Sequence, residues 1–376
     1  MAAPAGPIPV SILTGFLGSG KTTLLNALLK DPALTDTAVI VNEVGEISID
    51  HKLVESAADG IIELAGGCLC CTVRGDLVDT LASLVDGAQT GRIASLRRVV
   101  VETTGLADPV PVLAALMAHP ALLQAFRLDG VIATVDAVNG AATIARHQEA
   151  ARQVAVADRI VLTKTDMPEG AAAEAELRAV LRGLNPGAPI VHATAGEASV
   201  AALFDCGLYD PATKTADVAR WLRDAEAYEA GHHHGHAGHD HHDHDPHHDE
   251  HRHGSIRTMA LAHDGPVPFA AIESFLDILR SVHGDRLLRL KGVVELAEDP
   301  SRPLVVHGVQ RLIHPPARLP AWPQGPRGVR MVVIADGLDE SYVRRLFDAV
   351  TGRPAPDTPD RAALTDNPLA VAGFKG

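Results

Sequence analysis

The chain has 376 residues, a formal charge of −14 and 46 % hydrophobic residues, but only 3 % aromatics. An acidic balance has the wrong sign for a phosphate-backbone binder, and so few aromatics leave scarce stacking platforms for single strands, so no nucleic acid is expected among its partners. The length suits two domains, or one large domain with an appendage, and the balance favours a soluble protein that handles metal ions or small ligands.

No apolar run is long enough to span a bilayer, so no membrane is expected. The N-terminus lacks the basic region of a secretory signal, and a cytoplasmic location is expected.

In chain order, residues 8–14 form an apolar run that reads as a first strand. A glycine-rich loop and a predicted helix over 21–30 follow. The loop, Gly-Phe-Leu-Gly-Ser-Gly-Lys-Thr over 15–22, fits G-x-x-x-x-G-K-[ST] in full, with strand and helix on the sides the motif requires. Its chemistry is that of a phosphate cradle. Gly15, Gly18 and Gly20, with Ser19, let backbone N–H groups curl round the phosphates. Lys21 brings a point charge to the β- and γ-phosphates, the Thr22 hydroxyl ligates Mg²⁺, and the helix N-terminus adds its dipole.

A strand over 38–42 leads into Asn-Glu-Val-Gly-Glu at 42–46. Farther on, Gly-Gly-Cys-Leu-Cys-Cys at 66–71 sets three thiols within four residues. Such close cysteines are poorly placed to bridge one another, so the cluster suits a reduced compartment and a metal. Cys68, Cys70 and Cys71 can share one soft ion, zinc or cuprous copper, and leave a fourth tetrahedral position for His, Glu, water or a partner's ligand. An incomplete set suits transfer, whereas a closed four-cysteine cage suits structure. Cys206, alone in an apolar segment, reads as core. The thiols lie in an interval that responds to the γ-phosphate in P-loop GTPases, so metal binding is expected to be coupled, reciprocally, to nucleotide state.

A predicted helix over 76–85 precedes a strand over 98–102 that ends in Glu102. Glu102 would hold Mg²⁺ through its water shell, and Gly105 would sense the γ-phosphate through its backbone. With Lys21 and Thr22, Glu102 completes the expected catalytic set. A strand over 130–135 and a helix over 142–157 come next, and then a strand over 159–163 running into Thr163, Lys164, Thr165 and Asp166. A carboxylate only accepts. Guanine offers it N1–H and N2–H₂ donors, whereas adenine has an acceptor at N1. Asp166 therefore favours GTP over ATP, with the Lys164 stem along the base plane. A helix over 170–184 and a strand over 189–192 complete an alternation that predicts a doubly wound, mostly parallel α/β sheet of the P-loop NTPase type.

Composition then changes abruptly. From His232 to His253 twelve histidines stand among five acidic residues, with almost nothing apolar. Such a stretch cannot bury enough surface to offset its ordering entropy and is expected to be disordered. His232, His233, His234 and His236 head it as auxiliary metal ligands, since imidazole is mostly neutral at pH 7. Beyond it, strands over 255–263, 286–296, 303–309 and 328–335 and helices over 269–282 and 339–349 predict a smaller α+β domain of order β-α-β-β-β-α. The expected division is a P-loop GTPase domain over 1–212, a His-rich linker over 213–254, a C-terminal domain over 255–352 and a loose tail over 353–376.

Together these motifs resemble the CobW-type P-loop GTPases, relatives of the nickel-insertion GTPases of hydrogenase and urease maturation. Leu-Arg-Leu-Lys-Gly at 288–292 and Pro-Leu-Val-Val-His-Gly-Val-Gln at 303–310 resemble that family's C-terminal domain, so the likeness covers nearly the whole chain. It implies hydrolysis of GTP to GDP and phosphate, coupled to delivery of zinc, cobalt or iron to a client metalloprotein, as in the zinc-regulated GTPase metalloprotein activators. By matching positions it implies Cys68, Cys70 and Cys71 as ligands of Zn²⁺ (or Co²⁺ or Fe²⁺). It likewise implies Gly18, Gly20, Lys21, Thr22 and Thr23 for the phosphates, Glu102 for Mg²⁺, and Lys164 with Asp166 for guanine. Thr163 stands where many GTPases have Asn, and Val44 where Phe is usual. Glu46 and Asp50 are both candidates to orient water, and monomer and homodimer are both open. Two rivals stand beside this reading: a passive zinc store with a structural nucleotide, and a small-molecule kinase, against which the guanine reader speaks.

Overall fold

Each strand of the first sheet sends successive side chains to opposite faces, and both faces are apolar, the pattern of a parallel sheet covered on two sides. The computed structural model describes residues 6–42, 61–64, 73–194, 196–204, 255–322 and 325–352. The first sheet comprises β1 (Ile8–Gly15), β2 (Thr37–Asn42), β3 (Ile61–Leu64), β4 (Arg98–Glu102), β5 (Phe126–Asp136), β6 (Arg159–Thr163) and β7 (Ile190–His192). Their order is β3-β2-β4-β1-β5-β6-β7, and every pairing is parallel. The predicted doubly wound sheet is thus present, with β1 near its centre.

On one face Leu13, Val39, Val100, Ile132 and Val161 pack with Leu24, Leu25 and Leu28 of α1 (Lys21–Leu28) and Leu203 of α8 (Val200–Leu203). On the other, the neighbouring residues Ile12, Ile40, Val101, Ala133 and Ile160 face the remaining helices. These are α2 (Val73–Gln89), α3 (Val110–Ala118), α4 (Pro120–Ala125), α5 (Gly140–Arg146), α6 (Gln148–Ala155) and α7 (Pro168–Leu184).

Two expectations are corrected here. The single helix over 142–157 is two helices, because His147 has extended backbone (φ −126, ψ 113) that ends α5 and starts α6. Its ring stacks on Phe16 of the glycine-rich loop with centroids 4.6 Å apart. The strand expected at 130–135 runs back to Phe126. Asp129, just before the expected strand, is buried there and accepts from Ser11 Oγ and Arg98 Nη1, each at 2.7 Å.

The second sheet is antiparallel. It comprises β8 (Ile256–His263), β9 (Leu287–Leu296), β10 (Asp299–Val309), β11 (Leu312–Ile313), β12 (Ala317–Arg318) and β13 (Val329–Asp336), with α9 (Phe269–His283) and α10 (Glu340–Thr351). Its order is β11-β10-β9-β13-β8, and β12 pairs β10. The expected β-α-β-β-β-α order is present, with two extra short strands. In α9 the buried Ile272, Phe275, Leu276 and Leu279 follow the i, i+3, i+4, i+7 spacing of one helical face. Together with Val343 and Phe347 of α10 they cover one side of the sheet, and Phe275 meets Phe347 edge-on at 5.5 Å.

The opposite side supplies Leu288, Val293, Val305, Val332 and Ile334 to the same apolar layer as α3, α6 and α7. The molecule is therefore a stack: α1 and α8, the parallel sheet, a helical layer, the antiparallel sheet, and α9 with α10. A polar clamp crosses the layer. Buried Asp158 accepts from Arg289 Nη2 at 2.9 and 3.0 Å and from Lys291, and the Thr258 hydroxyl donates to the Leu184 carbonyl at 2.7 Å.

Candidate functional site

The glycine-rich loop leaves the C-terminal end of β1 and enters α1, the arrangement its sequence requires. Gly20 adopts left-handed backbone (φ 88) as the residue capping α1, a conformation that glycine takes without strain. Lys21 is 9 % exposed and folds back over the loop, donating Nζ to the carbonyls of Gly15 at 2.9 Å and Phe16 at 3.3 Å. The Ser19 and Thr134 hydroxyls meet at 2.7 Å, and the Thr163 hydroxyl donates to the Ser19 carbonyl at 2.8 Å. The loop is thus tied to β5 and β6 as well as to its own helix. Gly18 and Thr23 are exposed on its open side.

Beside it, the Thr22 hydroxyl donates to Glu102 Oε1 at 2.8 Å. Glu102 ends β4, the neighbour of β1, so sheet order alone brings these two residues together across 80 positions. Two adjacent oxygen donors of this kind suit a hard cation such as Mg²⁺. Gly105 packs directly on the loop: a Cβ there would stand 2.6 Å from the Leu17 backbone nitrogen. Only glycine fits that approach.

Lys164 also has left-handed backbone (φ 57), an uncommon conformation for a side-chain-bearing residue and one that collects at functional sites. Its Nζ donates to Asp136 Oδ2 at 2.7 Å. Burial opposes the charged form of Asp136, but the hydrogen bonds from Lys164, Asn139 and the Val138 N–H outweigh it and hold the carboxyl below its usual range. Asp166 is exposed, and the Thr165 and Thr194 hydroxyls meet at 2.9 Å beside it. The fold thus brings together Gly15, Gly18, Ser19, Gly20, Lys21, Thr22, Thr23, Glu102, Gly105, Thr163, Lys164 and Asp166 at the C-terminal edge of one sheet. That edge is where open α/β sheets bind ligands.

Cys68, Cys70, Cys71, Cys206, Glu43 to Asp50, the histidines from His232 to His253 and the tail after Gly352 lie outside the described residues. The strand that leads toward the thiols is described. Leu64 ends β3 in register with Asn42 of β2. It faces the same edge as Glu102, two strand spacings or about 10 Å away. Among the described residues, no group of three or more His, Cys, Asp or Glu side chains could hold a metal.

Two participants escaped the sequence reading. Asp136 carried a usable signal, since it ends an apolar strand as Glu102 does. Gln153 carried none: it is one amide in α6, yet its Nε2 donates to the carbonyls of Gly105 at 3.1 Å and Ala107 at 3.0 Å.

A central strand, a glycine loop, a lysine folded back over it and a threonine of the first helix paired with a carboxylate on the neighbouring strand define a P-loop nucleotide-binding protein. The chain matches the CobW/HypB/UreG nucleotide-binding domain over residues 9–192 and the cobalamin synthesis protein CobW C-terminal domain over residues 256–351. It is 34 % identical over 345 residues to the zinc chaperone YjiA of Escherichia coli K12, covering 91 % of this chain and 98 % of that one. It is 29 % identical over 379 residues to the zinc chaperone CobW of a Sinorhizobium species. The crystal structure of the Zn(II)-bound YjiA GTPase from E. coli superposes with a TM-score of 0.67 at 29 % identity, covering 92 % of this chain and 99 % of that chain. The zinc-regulated GTPase metalloprotein activator 1 of Schizosaccharomyces pombe is 32 % identical over 197 residues, 50 % of this chain and 46 % of that protein. The chain belongs to the CobW family. No described helix is long and apolar enough to cross a membrane.

Proposed function

We propose that this protein is a cytoplasmic GTPase that binds zinc at Cys68, Cys70 and Cys71 and passes it to a client metalloprotein, using hydrolysis of GTP to GDP and phosphate to time the transfer. The observation that carries the reading is the Lys21, Thr22, Glu102 and Gly105 constellation at one sheet edge. The names of the relatives support zinc as the cargo.

In this reading the 15–20 loop surrounds the phosphates with backbone N–H groups, and Lys21 leaves its carbonyl partners to meet the β- and γ-phosphates. Thr22 and Glu102 would hold Mg²⁺, which when bound supplies charge neutralisation at the phosphate oxygens. Water attacks the γ-phosphoryl group in line, and the charge that develops is met by Lys21 and the loop amides. Asp166 accepts from the guanine edge, and Asp136 fixes Lys164 alongside the base. In the sequence Cys68, Cys70 and Cys71 come shortly after β3, which ends at the same sheet edge as Glu102, and this supports a coupling of metal binding to nucleotide state. Four units serve this cycle: a GTPase domain over 1–212, a His-rich linker over 213–254 that gathers metal, a C-terminal domain over 255–352 and a tail over 353–376.

Release of inorganic phosphate tests the reaction. The wild-type chain should release it from GTP in preference to ATP, and Lys21→Ala should abolish release. Turnover retained by Lys21→Ala would contradict the assignment.

A further inference from the structure

Two adjacent residues of α6 face in different directions and hold different parts of the molecule. Gln153, 1 % exposed, grips the Gly105 and Ala107 carbonyls through Nε2. Arg152 reaches two carboxylates at once: Nη1 donates to Asp108 Oδ2 at 2.8 Å, and Nη2 to Asp336 Oδ2 at 2.5 Å. Asp108 uses its other oxygen to accept the Val110 N–H at 2.9 Å, so it also starts α3. Asp336 is the last residue of β13 in the C-terminal domain, and it further accepts from Gln148 Nε2 at 2.8 Å and from the Ser255 hydroxyl.

The segment from Gly105 to Asp108 is therefore fixed on three sides. The loop backbone at Leu17 abuts Gly105, Gln153 holds two of its carbonyls, and Arg152 ties Asp108 to the other domain. Burial works against the charge of Arg152, but the flanking Asp336 and Asp108 outweigh it and raise its pKa. The Asp158, Arg289 and Lys291 clamp and the shared apolar layer also join the domains. What the bridge adds is a defined position for the segment that follows Glu102.

We propose that Arg152 is a positioning residue for GTP hydrolysis, through which the seating of the C-terminal domain at Asp336 sets where the Gly105–Asp108 segment, held also by Gln153, stands against the phosphate loop. This rests on the GTPase reading. A substitution at Asp336, in a different domain from the phosphate loop, should then change the chemical step.

The test uses the full chain and compares wild type, Arg152→Met, Asp336→Ala and the conservative Arg152→Lys. GTP turnover gives kcat and KM, GDP binding gives affinity, and amide hydrogen exchange reports on residues 105–110. Arg152→Met and Asp336→Ala should each lower kcat about tenfold or more, the scale of a small misplacement near the chemistry, with KM and GDP affinity unchanged. A double variant, Arg152→Met with Asp336→Ala, should be less slow than the product of the two single effects, because both changes remove the Arg152–Asp336 bond. Arg152→Lys keeps the charge but not the fork, and should fall between. Exchange at 105–110 should quicken in Asp336→Ala. Wild-type kcat and exchange in both single variants would overturn the proposal, and so would losses confined to KM, GDP affinity and thermal stability. A wild-type chain that releases no phosphate from GTP would instead overturn the GTPase reading itself, and this inference with it.

Discussion

Asp158 and Arg289 stand 131 positions apart, yet Arg289 Nη2 lies 2.9 and 3.0 Å from the two carboxylate oxygens, and both side chains are almost fully buried. Lys291 joins them from the same strand. Burial alone would raise the pKa of Asp158; Arg289 and Lys291 reverse this and hold the carboxyl well below the usual carboxylate range. Removing one partner of a buried charge cluster costs about 3–5 kcal/mol. Asp158→Asn should therefore lower the unfolding free energy, measured by denaturant titration, by that scale at neutral pH. The sign with pH follows from the depressed folded-state value. The stabilisation is fully present above the unfolded pKa, near 3.9, and is lost as pH falls below it toward the folded value. Denaturation at neutral pH and at about pH 3.5 should show a smaller gap between wild type and Asp158→Asn at the acidic end.

Thr163 stands where many GTPases have Asn, and the structure gives it a separate task. Its hydroxyl donates to the Ser19 carbonyl and so fastens the loop to β6. Thr163→Val keeps the shape and removes the donor. Leaving a buried acceptor without its hydrogen bond costs about 1–3 kcal/mol, so GDP should bind about fivefold to a hundredfold more weakly by calorimetry.

Asp166 is exposed two residues beyond Lys164, and in the proposed function it accepts from the guanine edge. Hydrogen bonds to a charged group are worth about 1.5–3 kcal/mol. Asp166→Ala should weaken GDP binding by about ten- to a hundredfold and leave ADP binding unchanged, so that the ratio of the two affinities collapses. Competition of the two nucleotides against a fluorescent GDP analogue measures it.

Much of the site was legible because its parts are contiguous. The loop over 15–22 announces itself by glycine spacing, and Glu102 and Asp166 by carboxylates at or just beyond the ends of apolar strands. What stayed hidden depends on distant partners. Asp129 lies outside the strand expected at 130–135, and its carboxylate is accommodated inside β5 by Ser11 and Arg98, which are distant in sequence. Helix α3 was missed because its residues are buried nearly all round, so no amphipathic period marks it. Strand β3 is only four residues long, at the short limit for reading alternation, and its Ile-Ile-Glu-Leu does not alternate. The break at His147 has no proline or glycine to signal it; its extended backbone goes with the stacking of its ring on Phe16. Gln153 and Arg152 acquire meaning only when the sheet order places α6 between the phosphate loop and β13.

The most direct test of a shared nucleotide and metal cycle is the affinity for Zn²⁺ measured with a non-hydrolysable GTP analogue and with GDP. It should be done on wild type and on the triple variant Cys68→Ala, Cys70→Ala, Cys71→Ala. One tight site should be present in wild type and missing from the triple variant, and its affinity should differ between the two nucleotides by about 5- to 150-fold, the usual size of an allosteric coupling. Equal affinities with the two nucleotides, or a tight site that survives loss of the three thiols, would contradict the account.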